Sequence, residues 1–204
     1  MSFSSDPKVR AVMAAYQARA DAERSAFDDP NRRRDELLLP VGPATAGFLS
    51  TLIEESEARA ILEIGTSYGY STVWLAEAAR ATGGKVISLE LHGHKVDYAK
   101  EQLAKAGLSD YVEFRIGDAL ESIEGLPGPF DIVLLDLWKN LYVRCFDLIY
   151  PKLAPGAIVV ADNMLFPESA RADANLYRAR VRAAAGISSV LLPIGSGIEV
   201  SRFR

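Results

Sequence analysis

The chain of 204 residues has one cysteine, Cys145, so no internal disulfide can form. That suits a reducing compartment. Cys145 lies in an apolar helical stretch and reads as a core residue rather than a nucleophile. No segment approaches the ~20 consecutive apolar residues that cross a bilayer, and the first residues lack the apolar core of a secretory leader. A cytoplasmic protein without a membrane partner is the expectation. Basic residues do not dominate: 23 Lys and Arg face 27 Asp and Glu, for a formal net charge of −4. That balance argues against nucleic acid as the main partner. Internal repeats and low-complexity segments are absent.

What is present is an ordinary globular composition, 49% hydrophobic and 25% charged, enough to bury one core. The boundaries read as an N-terminal helical appendage at 1–36 and a main domain at 37–204. Asp6-Pro7 is a helix start signal, and Val9, Val12, Met13, Tyr16 and Ala20 recur at helical spacing, predicting a helix over 6–29. Pro30 ends it. Arg32, Arg33 and Arg34 follow in a charged connector, either a solvated run or a patch for an anionic substrate. Pro40, Gly42 and Pro43 predict a loop, then a helix over 44–55.

From there strands and helices alternate. Strands are predicted over 60–64, 85–90, 112–116, 130–135 and 157–161. Helices are predicted over 70–81, 95–106, 119–123, 141–153 and 173–185. That order requires parallel pairing with crossover helices. The chain ends in two short strands, 190–193 and 198–202, around Gly195-Ser196-Gly197, which predicts an antiparallel hairpin. The fold class is therefore α/β: a Rossmann-like, seven-stranded, mostly parallel sheet with a C-terminal antiparallel hairpin and helices on both faces.

Residues 60–71 read strand, glycine loop, helix, and a small ligand binds at such a turn in an open α/β sheet. A glycine there lets a ligand approach the backbone. Glu63, inside an apolar strand, needs a partner, which loop N–H groups or a cationic ligand would supply. The spacing Gly65-Thr66-Ser67-Tyr68-Gly69 is not the G-x-G-x-x-G of dinucleotide-binding proteins. Glu90, about 20 residues further on at the end of the second strand, suits a bidentate grip on ribose hydroxyls. Asp118, after the third strand, is placed to reach a purine ring or to cap a helix. His92 and His94 lack an evident third ligand and read as loop residues near the nucleoside.

Two apolar strands each end in a carboxylate: Leu134-Leu135-Asp136-Leu137-Trp138-Lys139 and Val160-Ala161-Asp162-Asn163. Adjacent parallel strands would bring those ends within about 5 Å. Asp136, Asp162 and the Asn163 amide oxygen are three hard ligands suited to Mg²⁺ or a similar cation.

With these motifs, residues 37–204 resemble the cation-dependent class I O-methyltransferases. Leu-Leu-Asp-Leu-Trp-Lys at 134–139 and Ala-Asp-Asn at 161–163 resemble the catechol O-methyltransferases. Leu-Pro-Ile-Gly-Ser-Gly-Ile-Glu-Val-Ser-Arg at 192–202 looks more like the caffeoyl-CoA group. The resemblance implies S-adenosylmethionine as cofactor and a metal held by Asp136, Asp162 and Asn163. It implies Asp136 and Lys139 as the catalytic pair, Lys139 being the base that takes the hydroxyl proton. Cofactor contacts implied are Val41, Glu63, Gly65, Thr66, Ser71, Glu90 and Ala119, with Trp138 beside the cofactor. Ser67, Gly69, Tyr70, Leu91, Asp118 and Asp136 complete that set.

The resemblance further implies a small aromatic hydroxyl substrate of catechol type. It implies a homodimer on the caffeoyl-CoA pattern and a monomer on the catechol pattern, and the apolar N-terminal helix and terminal hairpin favour the homodimer. Glu199 aligns with the caffeoyl-CoA pattern, so the role of a late glutamate in the catechol enzymes is not transferred to it. Leu137 stands where the family often has Asp or His. The short segment 164–174 speaks against a CoA ester. A same-fold methyltransferase acting on RNA through Arg32, Arg33 and Arg34, and a binding protein without catalysis, remain the alternatives.

Overall fold

The computed structural model describes residues 4, 6–24 and 36–204. Helix α1 (Pro7–Glu23) starts where Asp6 accepts a hydrogen bond from the Lys8 amide, with Pro7 in its first turn. The predicted extension to residue 29, and Arg32, Arg33 and Arg34, lie outside the described residues. Helix α2 (Gly42–Glu55) begins two residues earlier than the sequence suggests, because Pro43 fits the first turn of a helix, where its missing N–H is no loss.

Five strands then alternate with four helices, as expected: β1 (Ala60–Ile64), α3 (Tyr70–Thr82), β2 (Lys85–Glu90), α4 (Gly93–Ala106), β3 (Val112–Ile116), α5 (Ala119–Glu124), β4 (Phe130–Leu135), α6 (Tyr142–Ile149) and β5 (Leu153–Ala161). The chain closes with α7 (Arg171–Arg182), β6 (Ile187–Leu192) and β7 (Ile198–Phe203). The predicted 141–153 helix is shorter, flanked on each side by one tight 3₁₀ turn. Pro155-Gly156 is not a separate turn. It sits in a bulge of β5, where the register jumps between Phe130↔Leu153 and Ile132↔Ile158. β6 starts three residues before its predicted start, because Ile187-Ser188-Ser189 pair with β7 and have too little apolar character to read as strand.

The seven strands run in the order β3-β2-β1-β4-β5-β7-β6. The first five are parallel, and β7 is antiparallel to both β5 and β6. Strand side chains alternate between the two faces. Leu62, Ile64, Val133, Leu135, Val159 and Ala161 join the core under α5, α6 and α7. Ile61, Ile132, Leu134 and Val160 join Leu49, Ile53 and Leu75 of α2 and α3. Both faces are covered, which explains why these strands are unbroken apolar runs. α1 lays Val9, Val12 and Tyr16 against a third cluster, with Tyr70, Trp74 and Leu103 of α3 and α4.

Gly65 shows what the glycine loop is for. Its φ is +108°, and an added Cβ would run into the backbone carbonyl of Asp136 on the neighbouring strand end. At Gly69 (φ +88°) a Cβ would meet Ala99 of α4. The two glycines make room for protein backbone and a packed helix. Gly65→Ala is therefore expected to destabilise the fold by about 3 kcal/mol or more, read as a fall in the urea midpoint. An unchanged midpoint would contradict the close β1–β4 approach.

Candidate active site

Pairing puts the chemistry in one row. Ile64 is level with Leu89 and with Leu135, and Leu135 is level with Ala161. One residue further on, Glu90, Gly65, Asp136 and Asp162 stand side by side across four strands. Hydrogen bonds extend the ladder to this row: Gly65 N–H to Leu89 O at 3.0 Å, Asp136 N–H to Ile64 O at 2.9 Å, and Asp162 N–H to Leu135 O at 3.0 Å. Three strand spacings make the row roughly 14 Å long.

Above it lies a narrow recess. Of the residues expected to hold a cofactor, Val41, Gly65, Thr66, Ser67, Tyr70, Ser71 and Asp136 line it. Leu38, Leu39 and Pro40 line it too and were missed by the sequence reading. Their only signal was the Pro40–Pro43 loop just before a helix. Glu90, Leu91, Asp118, Ala119 and Trp138 are outside this lining, at the ends of β2, β3 and β4. Each Glu90 oxygen accepts one backbone N–H, from Ser67 at 2.8 Å and His92 at 3.1 Å. Each keeps a further lone pair for a ligand. Asp118 is the N-cap of α5, its Oδ1 accepting from Leu120 and Glu121. His94 lies in the first turn of α4 rather than in a loop.

Glu63 is not partnered by loop N–H groups. It is fully buried beneath the recess, and its carboxyl accepts hydrogen bonds from the Ser71, Thr72 and Ser88 hydroxyls at 2.5–2.6 Å. Ser88 gives its only proton to Glu63, so Thr66 must be the donor in the 2.5 Å Thr66–Ser88 contact. Side chains of Thr66 and Ser71 are thereby drawn inward. Gly69, the left-handed N-cap of α3, is buried and closes the loop. Burial pushes the Glu63 carboxyl up to about 7 against the pull of the three hydroxyls, and the Asp136 charge adds to the rise.

The second half of the site is the acid pair. Asp162 is buried, and its Oδ1 has no hydrogen-bond partner. Burial and the neighbouring Asp136 charge raise its carboxyl to about 7. Asp136 is also raised by burial, and Lys139 is lowered by burial. Lys139 Nζ sits 3.7 Å from Asp136 Oδ1. It donates to Leu137 O at 3.0 Å and to the Tyr142 hydroxyl at 2.6 Å. Tyr142 in turn donates to Leu135 O at 2.8 Å. Asn163 follows in the left-handed region (φ +57°), which asparagine tolerates. Among the described residues no cluster of three or more His, Cys, Asp or Glu stands ready for a metal. The expected set has two carboxylates, and its third member is an amide. Trp138 is 60% exposed beside the pair, and Phe166 is exposed after β5.

A family model described as O-methyltransferase matches residues 32–202. The chain is similar to a catechol O-methyltransferase of Mycobacterium tuberculosis, 34% identical over 161 residues covering 78% of this chain and 66% of that one. It is similar to a catechol O-methyltransferase of Niastella koreensis, 34% identical over 131 residues covering 62% of this chain and 59% of the relative. The match thus spans less than two thirds of either curated relative. The crystal structure of the O-methyltransferase from Bacillus cereus in complex with SAH superposes with a TM-score of 0.78 at 27% identity, covering 98% of this chain and 92% of that chain. Its fold is the seven-stranded sheet described above.

The buried Glu63 gives a signed pH dependence. A carboxyl raised when folded binds more protons in the native state. Its contribution is present below the ordinary value of 4.5 and lost as pH rises through about 7. The unfolding free energy of the wild type relative to Glu63→Gln should therefore fall by about 3 kcal/mol between pH 4.5 and 7.5. Chemical denaturation of both proteins across that window is the check, and a flat difference would refute the assignment.

Proposed function

The chain belongs to the O-methyltransferase family, and from that premise we propose that it moves a methyl group from S-adenosylmethionine to a hydroxyl of a catechol-like aromatic small molecule, with help from a divalent cation. The observation that carries this reading is the orphaned Oδ1 of buried Asp162, one strand from Asp136 and in the same row as the recess. A buried carboxylate oxygen without a partner is costly, and a cation relieves that cost.

The residues fit such an ion. Asp136, Asp162 and Asn163 would hold it, as hard oxygen donors with room left for water and substrate. When bound, the cation would lower the pKa of a coordinated hydroxyl and fix its direction. The recess would take the donor, with Gly65, Ser67 and Val41 as its walls, and Glu90 supports the reading through the lone pairs left to receive ribose hydroxyls.

The transfer is an in-line displacement, and orientation supplies much of the rate. The S–C bond breaks as the O–C bond forms, giving the methyl ether and S-adenosylhomocysteine. The hydroxyl proton passes to Lys139. A neutral amine has two hydrogens and one lone pair, and Leu137 O and the Tyr142 hydroxyl match the two hydrogens. The lone pair then stays free for the substrate's proton. Burial favours that neutral form. Exposed Trp138 and Phe166 offer flat apolar surface for an aromatic ring. A reducing cytosol and a homodimer belong to the same reading. The single cysteine suits the first, and exposed Leu176 and Val190 offer apolar surface for the second.

Methylation of a panel of catechols with Mg²⁺, then with chelator, tests the proposal. Activity should vanish with chelator and with Asp162→Ala. Lys139→Met should lower kcat by about 10²–10⁴ with little change in donor affinity. Turnover indifferent to chelator and to Asp162→Ala would remove the metal-assisted mechanism. Donor binding without turnover on any hydroxylated aromatic would favour a non-catalytic role.

A further inference from the structure

Nothing in the proposed chemistry uses α1, yet this helix touches both walls of the recess. Tyr16 is buried, and its hydroxyl donates to the Tyr68 carbonyl of the glycine loop at 2.6 Å. Its ring packs edge-on against Tyr70 and Tyr98. Seven residues on, the Glu23 Oε2 accepts the Leu38 N–H, on the opposite wall, at 2.7 Å. Arg19 lies between them. Its guanidinium stacks 3.9 Å from the centre of the Tyr68 ring and pairs with Glu23 at 2.8 Å. Ser67 Oγ reaches the Leu38 carbonyl at 3.4 Å. Tyr16, Arg19 and Glu23 follow the i, i+3, i+7 spacing of one helix face. The contacts form a closed circuit from α1 through the glycine loop and Leu38 back to α1.

Each wall also holds a residue that a free loop would avoid. Leu39 (φ +46°) and Ser67 (φ +48°) are both in the left-handed region without being glycine. Such residues persist only where their surroundings over-determine them. Each sits next to a residue that α1 grips, Leu38 on one wall and Tyr68 on the other.

We infer that α1 is a clasp for the methyl-donor recess, and that Tyr16, Arg19 and Glu23 are positioning residues that set donor affinity by fixing the distance between the Leu38–Val41 wall and the glycine loop. The inference rests on the reading that the recess takes the donor. Its consequence is selective: weakening the clasp should loosen the donor while leaving the acceptor's KM alone, since the acid pair is anchored on β4 and β5.

The test is isothermal titration of S-adenosylhomocysteine into the full chain, with the acceptor's KM measured alongside. Tyr16→Phe and Glu23→Ala should each weaken binding about three- to ten-fold, the scale of one lost hydrogen bond. The double variant should lose less than the product of the two, because both break one circuit. Glu23→Gln, which keeps an acceptor for the Leu38 amide, should recover part of the loss. Asp6→Ala removes the cap and the Arg80 ion pair at the far end of α1. It should lower thermal stability without changing the affinity. Hydrogen exchange at the Leu38 amide should speed up in Glu23→Ala even without ligand. Wild-type binding with folded variants within two-fold of it overturns the clasp alone. Equal weakening by Asp6→Ala overturns it as well, leaving α1 a merely structural element. No binding by the wild type overturns the donor reading and the clasp with it.

Discussion

The rest of the structure depends on one constraint, the parallel register of β2, β1, β4 and β5. Two backbone hydrogen bonds past the formal strand ends, Asp136 N–H to Ile64 O and Asp162 N–H to Leu135 O, hold the last residues level. Shifting β4 by one residue would turn Asp136 toward the opposite face and put an apolar side chain in the row. The register is itself secured by burial on both faces. Alternate residues of each strand enter different cores, so a slip would exchange two sets of fitted side chains at once.

The electrostatics follow from that geometry. Three carboxyls, Glu63, Asp136 and Asp162, gather at the buried ends of three adjacent strands, β1, β4 and β5, with the Lys139 amine beside Asp136. Each is raised by loss of water. They differ in how the protein compensates. Glu63 receives three hydroxyl donors and is internally complete, which suits a strut under the loop. Asp162 is left with an unpartnered oxygen. That contrast, between one satisfied acid on β1 and one unsatisfied acid two strands away, separates the support from the proposed reacting centre.

Much of the fold was legible because its strands are apolar and short, and because glycines and prolines punctuate them. β1, β2, β3 and β4 follow the sequence pattern residue for residue. The ends that differ do so for local reasons. Pro43 was read as a loop signal although it fits a helix start. Pro155-Gly156 was read as a turn although a bulge absorbs it. Ser188 and Ser189 hide the start of β6. Within the site, the strand-end acids were legible as motifs. The partners of Glu63 were not, since three hydroxyls from two different elements meet it only in three dimensions. The grip of α1 on both walls was equally invisible, because Tyr16 and Glu23 read as ordinary positions on an amphipathic helix.

The central claim is that one row of strand ends holds the donor at Gly65 and a cation at Asp136 and Asp162. Crystals grown with Mn²⁺ and S-adenosylhomocysteine would examine it directly through the anomalous signal of the metal. The account predicts one peak at coordination distance from Asp136, Asp162 and the Asn163 amide oxygen, with the ligand's sulfur facing it from the recess. A recess filled by the ligand but with no metal peak at the acid pair, or a ligand bound elsewhere on the sheet, would contradict it.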